Sequence, residues 1–183
     1  MSTAPKQHSY TLQSGDKAAT VMVYTQTLLA WGDVILKESI RPSTWLRTQA
    51  IPHFARLYDV QVLKISQNCS LKPVSYNDLF VPSCQIIAYH LKPPTSDPLD
   101  YEPNEPHRKM EPLTALVGNF RFDGCLRMSQ QSDIDRTLDV VKEAFIGLYD
   151  LTISLPDAPG FGQIHTPFAL VRCDSLLYSS RTA

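Results

Sequence analysis

Two stretches of this 183-residue chain are near copies: FARLYDVQVL at 54–63 and FIGLYDLTIS at 145–154. Between them, residues 92–112 carry six of the fourteen prolines and five acidic residues. Proline fixes φ and donates no backbone N–H, so this segment is expected to run extended and exposed, without regular structure. On either side of it, three blocks recur in one order. Gly32 and Gly124 lie 92 positions apart, Leu57-Tyr58-Asp59 and Leu148-Tyr149-Asp150 lie 91 apart, and LFVPSCQIIAY (79–89) and ALVRCDSLLYS (169–179) lie 90 apart. A shared order at a nearly constant offset predicts one small fold used twice, with Leu57 and Leu148 at equivalent core positions.

Each half reads mostly as strand. Val21, Val23 and Thr25 alternate with Met22, Tyr24 and Gln26, the period of a half-buried strand. WGDVILKES continues as a second strand, and LYDVQVLKI, rich in β-branched and apolar residues, as a third. LFV and QIIAYHL supply two short strands joined tightly at Pro82-Ser83-Cys84. Asp123-Gly124 fits a hairpin turn and Gly32 a strand bend, and the sequence leaves open for both glycines which of the two they make. The helical signals fall between strands two and three. RPSTWLRTQAIPHF (41–54) can be capped by Ser43 or Thr44 and must end at Pro52. SDIDRTLDVVKEAF (132–145) can be capped by Ser132 or Asp133, and places Ile134, Leu138, Val141 and Phe145 on one apolar face.

The fold class that follows is mainly β with short helices: two tandem five-stranded small β-barrels, each with a short helical insertion between strands two and three. The boundaries are a flexible tail at 1–19, a first repeat at 20–91, a proline-rich linker at 92–112 and a second repeat at 113–180. A strand pair with an internal glycine, a third strand, then two short strands around a tight turn resembles the Sm-like and SH3-like small barrels, including small bacterial barrel domains. The resemblance implies the barrel fold. It does not carry over the RNA site, because Val81-Pro82-Ser83-Cys84 and Val171-Arg172-Cys173-Asp174 stand where an Sm-like chain has its Arg-Gly pair, and no Asp-x-x-Asn loop precedes the third-strand turn.

Composition excludes several functions. Apolar residues at 43% and charged residues at 19% describe a folded chain and not a disordered one. No apolar run reaches the roughly 18–20 residues of a membrane-spanning helix. The opening residues lack a secretory signal core, and four scattered cysteines make neither a zinc site nor a disulfide framework. Buried, reduced thiols in a cytoplasmic protein are expected. Residues 1–91 hold eight Lys/Arg against five Asp/Glu, +3, and residues 92–183 hold nine against thirteen, −4.

No histidine sits in a catalytic pattern, and no nucleophile elbow or phosphate loop occurs. No catalytic group, metal or cofactor is expected, and the five histidines are expected at the surface or as caps. Asp59 and Asp150 interrupt apolar strands at matching places. A bulge or a turn in which the carboxylate accepts backbone N–H groups accounts for them, with a paired functional acid as the alternative. Lys37, Arg41, Arg47 and Arg56 surround Trp45, a mix able to hold phosphate and stack a base, unless Trp45 anchors the core. The leading function is a non-catalytic scaffold that forms a homo-oligomer through barrel edges. The alternatives are nucleic-acid binding by the first repeat, and a small-molecule binder or enzyme with its site between the repeats.

Overall fold

The computed structural model describes residues 8–47, 52–65 and 71–180. Tail residues 1–7, the expected helical residues 48–51 and Cys69 lie outside the described residues. Ten strands form one antiparallel sheet: β1 (Asp16–Tyr24), β2 (Leu28–Lys37), β3 (Phe54–Lys64), β4 (Val74–Pro82), β5 (Ala88–Leu91), β6 (Arg108–Val117), β7 (Phe120–Ser129), β8 (Phe145–Ser154), β9 (Gln163–Arg172) and β10 (Leu176–Ser180). Their spatial order is β10-β6-β7-β8-β9-β5-β1-β2-β3-β4.

The expected pair of closed barrels is not what forms. The sheet is continuous and open, because β5 places its outer edge against β9 of the other half. Among the described residues β4 pairs only with β3, and β10 only with β6. Within the sheet, the strand order of the first five, β5-β1-β2-β3-β4, recurs in the second five as β10-β6-β7-β8-β9. The helical insertions fall where the sequence places them. A 3-10 helix at Pro42–Arg47 follows β2, and α1 (Ile134–Val140) follows β7. Asp133 caps α1, accepting from the Arg136 N–H at 2.9 Å. Phe145 is not on the helical face as expected but opens β8.

Several boundaries move. β1 begins at Asp16, inside the expected tail, and β6 begins at Arg108, inside the expected linker. Pro112 lies within β6, opposite Cys125 of β7 and one residue beyond Leu113, which pairs with Ser180 of β10. Asp123-Gly124 is not a turn. The β6–β7 hairpin turns at Gly118-Asn119, with Gly118 at φ 59°.

Gly32 and Gly124 instead mark two matching bends. A Cβ on either would lie 2.6 Å from a carbonyl oxygen, that of Tyr58 or of Tyr149. The pairing slips at both places, between Trp31 and Asp33 and between Asp123 and Cys125. Opposite each slip an aspartate takes φ 50°: Asp59 in β3 and Asp150 in β8. Asp suits this backbone at both bulges, since it tolerates the left-handed region better than the Tyr, Val and Leu residues beside it. Leu57 and Leu148, two residues before each bulge, are both fully buried. Gly124→Val is expected to cost at least about 1–3 kcal/mol through overpacking. Asp150→Gly should stay within about 0.5 kcal/mol of the parent, because glycine accepts positive φ. Urea unfolding of the two variants measures both.

Two apolar cores result, and neither is confined to one half of the chain. Met22, Tyr24, Leu29 and Ile87 of the first half pack with Phe120, Phe122 and the rest of the second. Phe145 and Leu170 of the second half pack with Val21, Val23, Tyr89 and the rest of the first.

Candidate assembly interface

The joint between the halves is built on short apolar segments. β5 is buried along its whole length and pairs with β9 through Ala88 opposite Val171 and Tyr89 opposite Leu170. The Arg172 N–H extends the ladder by donating to Ile87 O at 2.9 Å. Its guanidinium donates to the Ile86 and Ser83 carbonyls and stacks 4.5 Å over the Phe145 ring. On the other side Tyr24 meets Phe120 and Phe122 edge-on, at 4.8 and 5.4 Å.

Beneath this joint His90 is fully buried, which corrects the expectation of surface histidines. Its Nδ1 lies 2.7 Å from Leu91 O, an acceptor only, so that nitrogen carries the proton and donates. Nε2 then accepts from the Tyr24 hydroxyl at 2.9 Å. Burial brings the His90 pKa down to about 4 and raises that of Tyr24, so both are neutral at ordinary pH.

At the two ends of the sheet the apolar surface is bare. Ten large hydrophobic residues are exposed among those described. Phe54, Val74, Tyr76 and Phe80 lie on β3 and β4, and Leu116, Leu177 and Tyr178 lie on β6 and β10. Five of the ten thus sit on the edge strands β4 and β10, and Phe54 and Leu116 on the strands paired with them; scattered single residues do not produce such a bias.

The basic set singled out in the sequence is dispersed into ion pairs. Lys37 meets Asp16 at 2.6 Å, Arg56 meets Asp78 at 2.8 Å, and Arg41 lies 3.7 Å from Asp97. Arg47 bonds Glu143 at 2.6 Å and lies 3.7 Å from Asp100. Trp45 is buried, edge-on to Tyr89, and serves as the core anchor. The pairing acids are distant in sequence, two of them in the linker, so clustering of cations along the chain did not reveal them.

Residues 92–107 strap across the joint by the same contacts. Asp97 accepts the Ser43 N–H at 2.8 Å, and Asp100 accepts the Tyr149 hydroxyl at 2.9 Å. Burial, reinforced by Asp100, raises the Tyr149 pKa. Beside the strap an open cleft of about 550 Å³ is lined by Arg47, Asp100, Arg127, Glu143 and Tyr149.

The repeated acids differ in surroundings. Asp150 is exposed. Asp59 joins His8 and Asp33, whose potential metal-ligand atoms all lie within 4.8 Å of one another. Sequence reading missed this grouping, since positions 8, 33 and 59 share no motif. His8 Nδ1 is 3.0 Å from Asp59, and Asp33 accepts from the Tyr10 and Thr20 hydroxyls at 2.9 and 2.6 Å. Burial opposes ionisation of Asp59, but hydrogen bonds from Ser9 and His8 outweigh it and hold the carboxyl below its ordinary range. The grouping docks residues 8–10 onto the first bulge.

The expected buried thiols are corrected too. Cys84 is exposed, Cys125 and Cys173 are half-buried, and these three are unbridged. No described helix is long and apolar enough to cross a membrane. Comparison with known proteins finds no matching family model, no matching curated protein and no matching solved structure.

Proposed function

We propose that this chain is a non-catalytic scaffold of the cytoplasm, built from two fused copies of one five-stranded unit whose strand pattern resembles the Sm-like and SH3-like proteins, that forms homo-oligomers through its sheet edges. The observation that carries this reading is the placement of seven of the ten exposed large hydrophobics on the two outermost strands at either end of the sheet, five of them on the edge strands themselves. Unprotected edges pair with further strands, and burying these residues supplies the driving force. Light scattering across a micromolar dilution series tests it. The expected mass exceeds that of one chain and falls on dilution; a single chain at every concentration overturns the reading.

A second reading has one observation in its favour, the polar cleft beside the strap. Ligand binding there predicts that small anions or polar metabolites protect Tyr149 from solvent exchange. Nucleic-acid binding draws less support, because Lys37, Arg41, Arg47 and Arg56 all face carboxylates.

A further inference from the structure

The two ends of the sheet carry the two faces of the molecule's own internal joint. Four residues seal that joint: Tyr24 and Ile87 from the first half, Phe145 and Leu170 from the second, all at most 2% exposed. Each has a counterpart in the other half. Val21 faces Gly32 and Leu113 faces Gly124, so three residues on, Tyr24 corresponds to Leu116. The block offsets match Ile87 with Leu177, Phe145 with Phe54, and Leu170 with Phe80. All four counterparts are between 46% and 70% exposed, Phe80 with the Arg56 guanidinium 4.8 Å over its ring. Leu116 and Leu177 line a shallow groove of about 170 Å³ at the β10 end, and Phe54 and Phe80 project at the β4 end.

We propose that copies of this chain join head to tail, β10 of one copy pairing antiparallel with β4 of the next in the register of the β5·β9 joint. This rests on the assembly reading above and names its partner, a second copy. Transferring the internal register sets Tyr178 opposite Val81 and Ser179 opposite Phe80 of the next copy. Charge selects the same polarity: a half of +3 then meets a half of −4, whereas two like ends would bring equal charges together. The outer joint is the weaker version. Pro82 stands where the internal joint has Arg172, and offers neither its N–H nor its guanidinium. Such a heterologous contact gives a closed ring or an open filament, according to its rotation.

Two edge variants test polarity. Leu177→Asp disables the β10 end and keeps the β4 end, and Phe80→Asp does the reverse. Both sites are exposed, and thermal melts close to wild type establish that each variant is folded. Each alone is expected to run as a single chain by light scattering, while their equimolar mixture forms a discrete one-to-one pair. A mixture that stays as single chains, or assembly lost in only one of the variants, overturns head-to-tail pairing and leaves the scaffold reading standing. Assembly unchanged in both variants does the same. A wild-type chain that never assembles removes both.

Discussion

Acidification from about pH 7 to about pH 4 is expected to remove about 3 kcal/mol of folding stability through one side chain, His90. Its ordinary pKa of 6.5 falls to about 4 in the fold, where burial disfavours the charged ring. Between these values the unfolded chain binds a proton that the folded chain refuses. The His90 contribution is therefore complete above about pH 6.5 and is lost as the pH falls toward 4. Carboxylates such as Asp59, held low in the fold, act in a separate window: their contribution fades only at still lower pH. His90→Gln keeps an acceptor for Tyr24 and a donor for Leu91, without a titrating ring. Urea unfolding at a series of pH values should show a clearly flatter profile for the variant between pH 6.5 and 4. Parallel profiles would show that His90 is not the sensor.

Truncating two phenylalanines at matching positions should have unequal effects. Phe145→Ala is expected to cost about 3–5 kcal/mol, the range for emptying a buried aromatic site. It removes a fully buried ring that packs in the first half's core and carries the Arg172 guanidinium. Phe54→Ala, at the same place in the repeated phrase but 53% exposed, should stay within about 0.5 kcal/mol when measured on dilute single chains. At higher concentration Phe54→Ala should instead weaken assembly. Equal losses of stability from both would mean that Phe54 is covered within its own chain.

What the sequence made legible was local. Strand periodicity and the helix-capping residues are set by neighbours along the chain, and the β-rich halves and the two insertions followed, whereas the proline segment gave way to β6 at Arg108 and Gly124 lay inside a strand. The bulges were half legible: the repeated Asp59 and Asp150 implied them, but the match of Gly32 to Tyr58 and Gly124 to Tyr149 needed the register. Partnership across the sheet was not legible. Nothing in AYHL says that its outer edge meets β9 instead of closing its own half, and so one open sheet was missed. The ion pairs of Arg47 and Arg41 were missed for the same reason, since their acids belong to other segments.

The strap at 92–107 has a final consequence. By tethering the halves it fixes their mutual concentration, so the inner joint forms at any dilution, while an outer joint must wait for another chain. Dilution can separate copies but never divide one. In the head-to-tail assembly proposed above, the number of five-stranded sets is even whatever its size, and joints sealed by arginine would alternate with joints that end in proline.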